Sequence, residues 1–244
     1  MSNYRIVKPT ADDLFLEAAK NFHRLARQAV DAKGEFNVAL AGGSTPKRFY
    51  QILSSPPYSA TIPWGKIHLF FTDERQAGPD SPESNFAMAN RYLLKNINID
   101  PLHVHRIAGE LEANDAAKNY NLILSSFLPR NANGVPLIDL VLLGLGADGH
   151  VASLFPETDI LDVTDRYAAA VWLEEMKTWR VSITLPVINS AAHVWVMVTG
   201  ESKHDILERV INFPSATNPL PIEQVKPASG LIWYLDAAAA KWLK

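Results

Sequence analysis

Short apolar runs alternate along this chain with longer amphipathic stretches, and that alternation restricts the fold more than any other feature. Strand-like runs fall at residues 37–41, 66–72, 138–143, 168–173, 180–185, 194–199 and 231–235. They are rich in Val, Ile, Leu and aromatics, and several alternate too little for a strand with one face in water. Helical periodicity marks residues 11–33, 46–53, 82–95, 114–128, 203–212 and 236–243. In the first of these Phe15, Ala18, Ala19, Phe22, Leu25, Ala26 and Ala29 recur on one face. Strands interleaved with helices predict βαβ units, hence an α/β fold with a mostly parallel sheet and helices on both faces. Breaker-rich stretches at 54–63, 129–136 and 214–227 interrupt the pattern, which resumes unchanged after each. They read as surface loops of a single domain spanning residues 1–244. With 48% apolar and 20% charged residues, a chain of this length can bury a sizeable core.

Composition also narrows the chemistry. There is no cysteine, so disulfides, thiolate metal sites and cysteine nucleophiles are excluded. A net charge of −3 and a pI near 6.2 argue against nucleic acid or anionic lipid as partners. Residues 1–13 lack the apolar core of a signal peptide, and no run reaches the roughly 18–20 apolar residues of a membrane span. A soluble, cytoplasmic protein is expected. No coiled-coil repeat is present, and a monomer is the expectation.

The 12 glycines are unevenly distributed, and five of them fall in two short loops. In the first, the run at 37–41 leads into Gly42-Gly43-Ser44-Thr45-Pro46 and then a helix. Two glycines permit a sharp turn and close ligand approach. Ser44 or Thr45 suits the N-cap, and Pro46 the first helical position. Free N–H groups and the positive helix end then make an anion cradle. The alternative is a capped turn without a ligand. A Walker A loop is excluded because the Gly-Lys-Ser/Thr ending is missing, and a nucleophile elbow because Pro46 stands at its last glycine.

The second loop follows 138–143 and carries Gly144, Gly146 and Gly149, spaced as in a dinucleotide fingerprint. That fingerprint needs a long helix directly after the third glycine, and Pro156 stops one within about two turns. The loop instead presents His150, whose reference pKa near 6.5 suits proton transfer at neutral pH, with Asp148 placed to orient the ring or a water. Three further cations stand near strand ends: Arg75 after Asp73 and Glu74, Arg180, and Lys203 at a helix opening. Singly each reads as a surface charge; together with the first loop they can form a phosphate site. His103 and His105 lie two apart but lack an evident third ligand, so no metal is expected there.

The set Ala41-Gly42-Gly43-Ser44-Thr45-Pro46, Phe71-Thr72-Asp73-Glu74-Arg75, Gly144 to Pro156 and Gly200-Glu201-Ser202-Lys203 resembles the 6-phosphogluconolactonase family. The resemblance implies a Rossmann-like fold shared with glucosamine-6-phosphate deaminases. It implies hydrolysis of a sugar-phosphate lactone in the pentose phosphate pathway, with neither metal nor organic cofactor. It also implies His150 as general base with Asp148 and Arg75 beside it. Gly42, Gly43, Ser44, Thr45, Asp73, Arg180 and Lys203 would then bind the substrate and its phosphate. Val151 and Glu157 depart from the family's usual threonine and glycine and bear on loop geometry. The deaminases carry Asp-Glu-Tyr where this chain has Asp73-Glu74-Arg75, and an Asn-Glu-Pro run after the loop histidine that is absent here.

Overall fold

The computed structural model describes residues 4–242. In chain order it contains β1 (Tyr4–Lys8), α1 (Ala11–Lys33), β2 (Phe36–Leu40), α2 (Thr45–Leu53), α3 (Tyr58–Thr61), β3 (Ile67–Phe71), β4 (Asp73–Arg75), α4 (Asn85–Tyr92) and α5 (Ala113–Phe127). There follow β5 (Leu140–Leu143), β6 (Ala168–Leu173), β7 (Thr178–Ile183), α6 (Leu185–Ser190), β8 (His193–Val198), α7 (His204–Asn212) and β9 (Leu231–Asp236). Six strands form a wholly parallel sheet in the order β1-β9-β8-β5-β2-β3. Every residue of β2 and β5 is buried, as expected for strands without alternation.

Local chemistry sets the helix limits. Thr10 caps α1 by accepting from the Asp13 N–H, and Gly34 ends it at φ +87°, its N–H donating to the Val30 carbonyl. The apolar stripe of α1 sinks Phe22 into the core, edge-on to Phe36 at 5.6 Å and to Phe49 at 6.1 Å. No helix among the described residues is long and apolar enough to cross a membrane.

Five elements differ from the sequence expectation. β6 and β7 belong not to the parallel sheet but to a three-stranded antiparallel one, in the order β4-β7-β6. Only residues 174–177 join them, too few for the crossover that parallel pairing needs. β7 ends at Ile183, and Thr184 opens α6 with a proline in its first turn. β1 was not anticipated, because as an edge strand it leaves Tyr4 and Val7 exposed and so carries no burial signal. The helix expected over 236–243 is absent: Asp236 completes β9 and 237–242 are turns, while Leu243 lies outside the described residues. The helix expected over 82–95 is shortened to α4, because the backbone at Leu93 (φ −130°, ψ −67°) leaves the helical region.

The outer edge of β3 is covered by the segment through Val104, which bridges Leu69 in parallel. This packs three histidines together. His68 Nδ1 lies 3.0 Å from His105 Nε2, His103 stacks on His68, and His105 is held between Phe70 and Phe127. Burial, followed by the neighbouring imidazoles, pushes His105 down to about 4 and lowers His68 as well. In the unfolded chain both protonate near pH 6.5, so their contribution to stability is complete above that value and is lost as pH falls toward 4. Urea denaturation should therefore show a falling midpoint from pH 6.5 to 4.5, and His105→Leu should flatten that fall. An unaltered slope in the variant would place the acid sensitivity elsewhere.

Candidate active site

The carboxyl ends of β2, β3, β5 and β8 open onto one cleft of about 260 Å³, where open α/β sheets bind ligands. Its floor is the loop between β2 and α2. Tyr50, fully buried, donates its hydroxyl hydrogen to the Ala41 carbonyl at 2.7 Å and fixes the start of the loop. Gly42 must lack a side chain, because a methyl there would overlap Asn85. Gly43 takes φ +91°, with open space where a methyl would stand. Ser44 occupies the N-cap position of α2 but makes no side-chain cap, and Pro46 sits second in the helix rather than first. Pro46 has no N–H and the Lys47 N–H donates to the Ser44 carbonyl at 3.3 Å, so the N–H groups on offer at the positive helix end are those of Gly43, Ser44 and Thr45, which line the cleft.

Beyond β3 the chain crosses from the parallel to the antiparallel sheet, and this crossing builds one wall. Thr72 donates from its N–H to the Leu40 carbonyl at 2.9 Å; the next residue already pairs with Ser182 of β7. The three charges that follow do three different things. Asp73 is buried on the cleft wall, where its carboxylate accepts from Ser153 Oγ at 2.7 Å and Thr72 Oγ1 at 3.2 Å. Glu74 is buried and accepts from the N–H groups of Arg75 and Asn85 at 2.7 Å, Phe86 at 2.8 Å, and from Ser84 Oγ at 2.9 Å. Burial pushes the Glu74 pKa up, and those four donors oppose the rise. Arg75 lines the cleft and donates from Nη1 to the Glu83 carbonyl at 2.6 Å.

The loop after β5 folds back on itself. The Gly146 N–H donates to the His150 carbonyl at 2.9 Å, and Gly149 turns at φ +85°. His150 Nδ1 lies 2.6 Å from Asp148 Oδ1, and the imidazole stacks on Phe155 at 4.1 Å between centroids and 25° between planes. A methyl on Gly146 would overlap both His150 and Asp148, so the glycine is what lets the pair close. No helix follows Gly149: residues 151–157 form turns, with Ala152 at φ +50°. Since a carboxylate only accepts, Nδ1 carries the hydrogen and the Nε2 lone pair is left for a substrate or water.

The cleft brings together His150, Arg75, Asp73, Lys203 and the loop from Gly42 to Thr45. Lys203 arrives through a turn that begins at Gly200, whose N–H donates to both Asp236 oxygens at 3.0 and 3.1 Å. Asp148 stands behind the imidazole, on a second depression bordered by Phe155 and Trp172. Arg180 is not among the residues lining the cleft. It sits opposite Arg75 across the β4–β7 pair, with Nη2 3.7 Å from Met176 Sδ. Burial and then the Arg75 charge lower its pKa. Asn85 was not anticipated: it lines the cleft against Gly42 and donates to the Asp73 carbonyl at 2.9 Å. Its signal was confined to a Ser-Asn pair at a helix start, and Ser84 does cap α4 by accepting from the Ala87 N–H.

Residues 9–233 match the family described as glucosamine-6-phosphate isomerases/6-phosphogluconolactonase. The chain belongs to this family. The 6-phosphogluconolactonase of Haemophilus influenzae is 37% identical over 208 residues, covering 85% of this chain and 87% of the relative. That of Nostoc is 38% identical over 214 residues, covering 86% of each. The solved structure of 6-phosphogluconolactonase from Trypanosoma brucei superposes with a TM-score of 0.87 at 27% identity, covering 100% of this chain and 99% of that one.

The Gly146 contact is directly testable. In a crystal structure of Gly146→Ala the separation of His150 Nδ1 from Asp148 Oδ1 should open past about 3.5 Å, beyond hydrogen-bond range. A pair that stays closed around the added methyl would show that the glycine is not required.

Proposed function

We propose that this chain hydrolyses 6-phospho-D-glucono-1,5-lactone to 6-phospho-D-gluconate, a step of the pentose phosphate pathway, using water activated by His150 and no cofactor. The observation that carries the reading is His150, held by Asp148 at 2.6 Å and lining the same cleft as the helix-end cradle. The names of the relatives supply the substrate. A δ-lactone is an activated ester, so the reaction needs a base for water, a donor for the developing oxyanion and a hold on the phosphate.

The roles distribute by chemistry. His150 Nε2 takes a proton from water as its oxygen attacks C1 of the lactone. The tetrahedral intermediate then collapses, breaking the bond from C1 to the ring oxygen, and the imidazolium returns the proton to that oxygen. Asp148 keeps the tautomer and stabilises the imidazolium. Arg75 faces the oxyanion, a donor of the kind worth roughly 3 kcal/mol. The N–H groups of Gly43, Ser44 and Thr45 with the Lys203 ammonium hold the phosphate. That remote binding energy orients C1 against the base. Asp73 shares the cleft but is a poor phosphate ligand, because its carboxylate repels the anion and already accepts from Ser153. It serves to fix the two walls together, and Arg180 adds positive potential behind Arg75. Phe155 fits a lactonase better than a deaminase, since its ring covers the imidazole where deaminases place a carboxylate.

The test is acceleration of lactone decay above its spontaneous rate, measured on freshly prepared lactone. His150→Ala should lower kcat by about 10²–10⁴ with little change in KM, the usual worth of a general base. Lys203→Ala should instead raise KM by roughly tenfold, as expected for a lost charge-assisted contact of about 1.5 kcal/mol. Unchanged turnover in the His150 variant would remove it from catalysis. Tight binding of 6-phosphogluconate without any acceleration in the wild type would mark a sugar-phosphate sensor.

A further inference from the structure

The catalytic cleft does not end at the proposed phosphate cradle. Gly43, Ser44, Arg75 and Asn85 also border a second, larger hollow of about 720 Å³ between α2 and α4. Its far side carries three more cations. Lys47 on α2 has its Nζ 5.9 Å from the centre of the Tyr92 ring, Arg91 on α4 has its guanidinium carbon 5.5 Å from the same ring, and Lys95 follows in the turn after α4. None of the three is in an ion pair among the described residues. Asp80 and Glu83 line the hollow as well, which leaves four cations, Arg75 included, against two acids.

This is more positive charge than a substrate with one phosphoryl group uses. A single phosphate in the cradle takes up the N–H groups of Gly43, Ser44 and Thr45 and the Lys203 ammonium, and leaves Lys47, Arg91 and Lys95 without an anionic partner. The hollow opens directly from the cradle wall, so a chain of phosphoryl groups entering at Gly43 and Ser44 runs past Arg75 toward these side chains. Arg91 offers a planar fork and the two lysines mobile point charges, the complement of a flexible polyanion.

We propose that this hollow is a second anion subsite, and that condensed phosphates bind across it and the cradle, excluding the lactone. The inference rests on the phosphate assignment made above. The shared chemistry is a di- or triphosphate chain, free or carried by a nucleoside.

Competition kinetics test it with orthophosphate, pyrophosphate, tripolyphosphate and a nucleoside triphosphate as probes against the lactone. The expected result is competitive inhibition by tripolyphosphate at least tenfold tighter than by orthophosphate, weakening with added salt. In the Lys47→Ala/Arg91→Ala/Lys95→Ala variant that preference should collapse to within about threefold, while kcat and KM for the lactone keep their wild-type values. Equal potency of the nucleoside triphosphate and tripolyphosphate assigns recognition to the phosphate chain, and greater potency of the former adds the nucleoside to the ligand. Competition by orthophosphate with no advantage for longer chains overturns the proposal alone, as does an advantage that survives the triple substitution. No competition by any of the four overturns it together with the phosphate assignment.

Discussion

A carboxylate buried away from water is costly unless hydrogen bonds replace its hydration, and Glu74 meets that demand with four donors. Two of them are the first N–H groups of α4, so the side chain closes a helix end that would otherwise be unsatisfied. Its position at the crossing between the two sheets gives this bond set its reach. Arg75 leaves the next residue toward the cleft, and Asn85 at the head of α4 reaches back to the Asp73 carbonyl and packs on Gly42. One satisfied acid thereby sets the relative placement of the crossing, the helix behind it and the floor of the first loop.

Much of the architecture was legible because burial leaves a periodic trace. The stripe through Phe15, Phe22 and Ala26 and the unbroken apolar runs of β2 and β5 say which faces are covered. What was not legible lacks such a trace. Edge strand β1 has one partner and open faces, and β6 is as apolar as a parallel strand, so the short connection to β7 is what reveals the antiparallel sense of the pair.

The site divides in the same way. His150, Asp148 and the two glycine loops are local in sequence, and their geometry follows from spacing: the imidazole closes on a carboxylate two residues away over a glycine. The Asp73-Glu74-Arg75 triplet could not be resolved by spacing, since the three side chains find different partners in different elements, Asp73 at Ser153, Glu74 at Ser84 to Phe86, and Arg75 at Glu83. Arg180 illustrates the opposite limit. Strand register alone places it opposite Arg75, and the antiparallel sheet that sets this register was itself unanticipated.

The contact between Ser153 Oγ and Asp73 Oδ2 spans 80 positions of sequence, whereas the histidine and its carboxylate are separated by two. The pairing of His150 with Asp148 is therefore a local contact, while the loop that carries it is tied down where the Ile222 N–H donates to the Gly149 carbonyl at 3.1 Å. Its alignment with the opposite wall, in contrast, hangs on a latch of very high contact order that closes only when both sheets are in place. The histidine–carboxylate pair and its alignment with the opposite wall are thus built on separate scales, and the second is the one that reports whether the whole fold is intact.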